Sequence, residues 1–271
     1  MSPAAPIAGP LLGRPDAPLA RRNPVAKLGA GLLLSGFLIA TLDPVAPAVA
    51  LAVELATLPL FGVRLRVVAR RAAPLLLAVL GIVTTLVLFG GDRSGRTLVA
   101  LGPIVVTTGV LGSALALSLR LVAISLPGLV IFATIDATDL ADALVQNLRA
   151  PARFAIGALA AFRLVPLLGA EWRMLTLARR ARGVDAGHNP VAAVRMFAST
   201  MFTLLVGAIR RGTRLATAMD ARGFDAGTPR SIARPQRFVA ADAALVVAGG
   251  LVGAASVALS IHLGTFTPLL A

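Results

Sequence analysis

Residues 73–90 (APLLLAVLGIVTTLVLFG) contain no charged side chain, and a helix of that length, at 1.5 Å per residue, covers most of the ~30 Å hydrocarbon core of a bilayer. Comparable apolar runs lie at about 25–42, 46–62, 108–135 and 239–261. About five membrane-crossing segments make the expected fold all-α, a polytopic membrane protein. Composition points the same way: 57% of residues are apolar and 14% charged, and the mean hydropathy is +0.87. Soluble domains average about 45–50% apolar and about 25% charged. Residues 1–22 are rich in Pro and Ala and lack an apolar stretch long enough for a signal-peptide core, so they read as a disordered, uncleaved cytoplasmic tail.

Several chemistries are excluded by residue counts. The chain has no cysteine, which removes disulfides, thiolate nucleophiles and Cys-based metal centres. Its two histidines, His188 and His262, are too scattered for a metal cluster. A net charge of +14 raises the question of nucleic acid, but Tyr is absent and the basic residues alternate with long apolar runs, not with stacking aromatics. Among the 26 basic residues the one lysine is Lys27, in Asn23-Pro24-Val25-Ala26-Lys27-Leu28. A Walker A loop needs a lysine directly after its glycines. The chain therefore hydrolyses no nucleotide by itself, and with no Ser–His–Asp order it is not expected to be an enzyme or to bind a cofactor.

Arginine bookkeeping gives an orientation. The N-terminal flank carries Arg14, Arg21, Arg22 and Lys27, and the loop after the second run carries Arg64, Arg66, Arg70 and Arg71, whereas the loop after the first holds only Asp43. The positive-inside bias places the N-terminus in the cytoplasm. Four crossings return the chain there by residue 136, and the last segment, with Asp242 in its first turn, carries the C-terminus outside. Region 136–237 holds 15 of the 26 basic residues. It also contains two further apolar runs, at about 154–170 and 191–209. Each includes an arginine, Arg163 or Arg195, that costs about 2.5–3.5 kcal/mol at a bilayer centre. Crossing would also carry Arg179, Arg180 and Arg182 outside. Both runs therefore read as long helices in or under the cytoplasmic interface, with two extra crossings as the alternative. Gly157, Ala160, Ala161, Gly169, Ala198 and Gly207 would permit close helix crossing there. The expected organisation is a tail at 1–22, four membrane helices in 23–135, the long cytoplasmic or interfacial helices in 136–237, and a final membrane helix with the C-terminus in 238–271.

One heptapeptide occurs twice in that cytoplasmic region. Ala181-Arg182-Gly183-Val184-Asp185-Ala186-Gly187 and Ala221-Arg222-Gly223-Phe224-Asp225-Ala226-Gly227 differ only at the fourth position. Each closes one of the two long helices. Glycine just past a helix end can take the left-handed conformation that terminates it, and a cation in the last turn suits the negative end of the dipole. Capping explains the glycine but gives no reason to repeat Ala, Arg, Asp, Ala and Gly around it. Two helix ends that present the same guanidinium fork to equivalent grooves on a twofold or pseudo-twofold partner do explain it. The planar donors of Arg pair with carboxylates or carbonyls in fixed geometry, where Lys offers a point charge.

Twin Ala-Arg-Gly motifs at the ends of two long cytoplasmic helices resemble the transmembrane T component of energy-coupling factor (ECF) transporters. The segments Asn23–Leu28 and Arg149-Ala150-Pro151 are also similar to motifs of that family, and the resemblance covers roughly residues 20–265. It implies a coupling subunit of an importer for vitamins or metal ions. Two ATP-binding cassette subunits would hold ATP and Mg, a separate membrane S component would capture the substrate, and this chain would bind no cofactor. Ala181, Arg182, Gly183, Ala221, Arg222 and Gly223 would dock into the ATPase pair, with Asp185 and Asp225 orienting the arginine or the turn. The apolar faces of the two helices would be a docking surface for the S component.

Two ionisable residues fall inside expected spans, Glu54 and Arg120, each roughly mid-helix. They are expected to form a buried structural ion pair. Lining a midplane site instead, they would make the chain a stand-alone secondary transporter; a membrane scaffold using its basic face on anionic lipid is a third reading. Pro127 and Pro166 are expected to kink their helices, and His188 with Asn189-Pro190 to form the turn between the long helices.

Overall fold

The computed structural model describes residues 18–90, 94–101, 104–185, 187, 189–224 and 232–268. Residues 1–17 of the expected tail, His188 and Asp225 lie outside these. In chain order the elements are α1 (Pro24–Ile39), α2 (Val45–Thr57), α3 (Leu65–Arg71), α4 (Ala73–Phe89), β1 (Thr97–Leu101), β2 (Ile104–Thr107), α5 (Thr108–Thr134), α6 (Ala137–Asn147), α7 (Ala152–Ala181), α8 (Pro190–Ala221) and α9 (Ala240–His262). They fall into two compact units, one from Met1–Asp136 with Gln236–Ala271 and the other from Ala137–Pro235.

The first unit contains α1–α5, α9 and a short antiparallel pair of strands, β1 and β2, with one isolated bridge between Thr41 and Pro268 among the described residues. Local chemistry sets its helix starts. Asn23 accepts the Val25 N–H at 2.9 Å ahead of Pro24, Asp43 accepts the Ala46 N–H at 2.8 Å, and Thr107 accepts the Val110 N–H at 3.2 Å. These side chains satisfy donors that a helix start leaves orphaned. Leu34, Leu38, Ala46, Ala50 and Ala123 form one buried cluster; Leu58, Val63, Val68, Leu126 and Val130 form a second. Leu19 belongs to the second cluster. The expected tail therefore ends before residue 22, because burying this leucine anchors the segment ahead of α1.

α1 packs along α9 through glycine. A Cβ added at Gly249 would stand 2.6 Å from the Ala30 carbonyl oxygen, and one at Gly253 would stand 2.9 Å from the Phe37 Cβ. The expected close-crossing glycines behave differently: nothing lies within 4 Å of a Cβ built at Gly157 or Gly169. Among the glycines, Gly249 and Gly253 of α9 mark a close approach, and Gly157 and Gly169 of α7 do not.

Membrane-length helices also distribute differently from expectation. Among the described residues five stretches are long and apolar enough to cross: Leu65–Phe89 (α3 with α4), α5, α7, α8 and α9. α1 has 16 residues and α2 has 13, so at 1.5 Å per residue they reach only about 24 and about 20 Å. α2 stops because Leu58–Val63 folds into a turn, with Gly62 at φ 77° and the Val63 N–H bonded to Leu58 O at 3.1 Å. α5 and α7 each run on through their internal prolines, Pro127 and Pro166.

In the second unit α6 ends at a left-handed Arg149, φ 54°, and Pro151 then opens α7. α7 and α8, with 30 and 32 residues, leave most of their large apolar side chains exposed, Phe154, Phe162, Phe202 and Ile209 among them.

Candidate functional site

The described starts of the two heptapeptides, residues 181–184 and 221–224, end their helices alike. At the end of α7 the Gly183 N–H bonds to Arg180 O at 2.9 Å and the Val184 N–H to Arg179 O at 3.0 Å; at the end of α8 the Gly223 N–H bonds to Asp220 O at 2.9 Å and the Phe224 N–H to Met219 O at 3.1 Å. Both are Schellman caps, in which the two bonds recapture carbonyls that the helix end leaves free. Gly183 and Gly223 sit at φ 74° and 66°, and the preceding Arg182 and Arg222 share φ −91°. The backbone thus aims two arginines in matching local frames. Ala181, Arg182, Gly183, Val184 and Asp185 are exposed, as are Ala221, Arg222 and Gly223. The same cap recurs at the end of α9, where the Gly264 N–H bonds to Ile261 O and the Thr265 N–H to Ser260 O. There the cap carries His262-Leu263-Gly264-Thr265, so the fold itself demands glycine but not the arginine before it.

A clasp behind the first tip joins the two helices. Arg179 Nη1 donates to Thr200 Oγ1 at 2.8 Å and to Met196 O at 3.2 Å, and its Nη2 donates to Ser199 Oγ at 3.0 Å. The rings of Trp172 and Phe197 lie 5.3 Å apart at 59°, a tilted geometry that suits their quadrupoles. Glu171 takes a two-pronged ion pair from Arg211, one prong at 2.7 Å. α8 opens at Asn189, whose side chain accepts the Val191 and Ala192 N–H groups ahead of Pro190. At 1.5 Å per residue about 33 Å of helix separates Thr200 from Arg222, and Thr200 is the residue that Arg179 grips. Arg179 thus ties α8 to α7 at Thr200, and Glu171 ties it again at Arg211, eleven residues before Arg222.

Sequence reasoning did not find this clasp. Arg179 looks like one more basic residue of a helix end, and Glu171 and Arg211 are 40 positions apart. The matching Thr200 and Ser199 hydroxyls are ordinary helix residues until the fold brings them opposite.

The expected pair of Glu54 with Arg120 does not form. Both Glu54 carboxylate oxygens are shielded and meet no hydrogen-bond partner among the described residues, as are Arg120 Nε and Nη2. Arg120 lies in the field of Asp43 instead. The reason is level along α5: Glu54 lines an apolar cavity of about 220 Å³ with Lys27, Leu126 and Val130, and Leu126 and Val130 lie about 9 and about 15 Å of helix beyond Arg120. Arg120 stands midway along α5. No cluster of three or more His, Cys, Asp or Glu that could hold a metal occurs among the described residues.

Residues 16–232 match the CbiQ family, described as cobalt transport proteins. That match takes in both heptapeptides. Relatives with the description energy-coupling factor transporter transmembrane protein EcfT include three from the following organisms. The one from Heliobacterium modesticaldum is 31% identical over 247 residues, covering 86% of this chain and 90% of the relative. For Thermosediminibacter oceani the identity is 29%, covering 73% and 77%. For Limosilactobacillus fermentum it is 33%, but the matched stretch spans about half of each, 48% of this chain and 52% of the relative.

Proposed function

The chain belongs to the CbiQ cobalt transport protein family, and from that premise we propose that this multi-pass transmembrane component of an energy-coupling factor transporter is the part that transmits motion. Two cassette ATPases, holding ATP and Mg, bind the ends of α7 and α8, and a separate membrane subunit binds the vitamin or metal ion. The observation that carries this reading is the pair of identically capped, exposed arginines, Arg182 and Arg222.

The geometry supports two contacts rather than one. Two exposed tips with the same cap, at the ends of two different helices, suit one groove on each ATPase. Each guanidinium offers a planar fork to a carboxylate or carbonyl, and Ala181 and Ala221 keep the approach free of bulk. When the ATPase pair closes on ATP, the spacing of its grooves changes. A helix pair held by both tips and joined by the Arg179 and Trp172 clasp must then pivot. Asp185 and Asp225 orient the arginine or the turn. The exposed apolar faces of α7 and α8, with Phe162 and Phe202, are the surface offered to the substrate-binding subunit.

The positive-inside bias supports a cytoplasmic N-terminus, cytoplasmic tips and an external C-terminus. Co-purification tests the reading: the chain brings down two cassette ATPases and a small membrane protein, and a chain carrying both Arg182→Glu and Arg222→Glu loses the ATPases. Retention of the ATPases by the double variant sinks it.

A further inference from the structure

The chain leaves its first unit at Asp136 and returns to it at Gln236. These two points are the covalent routes by which displacement of the α6–α8 unit reaches the membrane helices. Inside the first unit, both routes end on the same turn of α1. Lys27 Nζ donates to Thr134 O at 3.1 Å, on the last residue of α5. Asp242 Oδ2 accepts the Val239 N–H at 3.0 Å, at the start of α9, while its Oδ1 accepts the Asn23 N–H at 3.0 Å. Asn23 and Lys27 are themselves joined by the Lys27 N–H to Asn23 O bond at 3.2 Å. A continuous path thus runs from Val239 through Asp242, Asn23 and Lys27 to Thr134.

These groups do more than cap helices. Capping the start of α9 needs Asp242 to reach Val239 alone, yet its other oxygen is spent on a residue 219 positions away. An orphan carbonyl at the end of α5 could be met by a hydroxyl or water; here it is met by the chain's only lysine, 3% exposed. Burying an ammonium is costly, and the negative end of the α5 dipole offsets part of that cost. Asn23 and Asp242 are 5% and 1% exposed, so solvent does not compete for these bonds.

We propose that Lys27 and Asp242 are positioning residues that register the two exits of the membrane unit against each other, so that displacement of the coupling helices enters it as one rigid movement. The proposal rests on the coupling reading above. Without the clamp, the end of α5 and the start of α9 move independently and the stroke is dissipated between them.

The native chain has no cysteine, so nitroxide labels placed at Ile135→Cys and Phe238→Cys report the separation of the exits alone. The test uses the full chain with its co-purified ATPases in nanodiscs, with and without vanadate trapping. The unsubstituted clamp is expected to give one narrow distance distribution that trapping leaves unchanged. Lys27→Met is expected to broaden it about two-fold or to split it on trapping, as a two-state equilibrium released from constraint does; Lys27→Arg, which keeps a charged donor, restores the narrow form. Asp242→Asn, which loses one acceptor, gives the same broadening if the Lys27→Met chain fails to fold. A Lys27→Met or Asp242→Asn distribution identical to that of the intact clamp in both states overturns the proposal. Failure of the ATPases to co-purify with the intact chain overturns the coupling reading instead, and the broadening without ATPases still reports on the clamp.

Discussion

Arg182 and Arg222 follow the same rule of helix termination as Leu263, yet only they place a charged fork at the cap. A charge-assisted hydrogen bond is worth about 1.5–3 kcal/mol, so Arg182→Ala or Arg222→Ala is expected to weaken ATPase association about ten- to hundred-fold. Titration of ATPase onto the chain in nanodiscs measures this. Lysine at either position restores only part of the loss, because a point charge lacks the bidentate geometry. Backbone strain makes a second residue-scale expectation. Arg149 is held at φ 54°, a conformation that costs an L-residue about 1–2 kcal/mol. Arg149→Gly is therefore expected to raise the melting temperature of the chain in detergent, and Gly183→Ala, at φ 74°, to lower it. The cap glycines and the repeated arginines were legible in the sequence because the cap is a local motif. That Arg179 turns back onto α8 while Arg182, three residues on, stays exposed was not legible, since only the neighbouring helix distinguishes them.

At the scale of elements, close packing is decided by α1 against α9. Gly249→Val would drive a side chain into the Ala30 carbonyl, where a Cβ alone already stands at 2.6 Å. Overpacking of this kind costs about 1–3 kcal/mol or more and is expected to show as a lower melting temperature, while Gly157→Ala, with open space for its Cβ inside a helix, is expected to raise it. The clasp offers an internal reporter, for Trp172 is the chain's only tryptophan. Phe197→Ala is expected to shift its emission to the red, and ATPase binding to shift the emission of the unsubstituted chain; emission unchanged by ATPase would mean that the clasp does not respond to the partner. Glu171→Gln is expected to matter less, because solvent screens an ion pair whose side chains are about one-third exposed. Hydropathy located these helices but not the end of α2, since Leu58, Phe61 and Val63 are as apolar in a turn as in a helix. Nor does hydropathy give the level at which Glu54 meets α5, which is beside Leu126 and Val130 and not Arg120.

Over the whole molecule, the apolar runs and the arginine distribution made the all-α membrane architecture legible, and the family match agrees with it. The bond between Asn23 and Asp242 joins residues 219 positions apart, and no local pattern encodes such a contact. Under the proposed function, the whole chain presents both tips on one side of the membrane to a pair of ATPases. Thiol labelling of Val184→Cys and Phe224→Cys in the otherwise cysteine-free chain examines this directly, using a membrane-impermeant maleimide on inside-out and right-side-out vesicles. Both positions should label only from the cytoplasmic face, lose that labelling when the cassette ATPases are co-expressed, and cross-link one chain to two ATPase subunits. External labelling at position 184, or undiminished labelling of both positions in the presence of the ATPases, would contradict the two-tip grip.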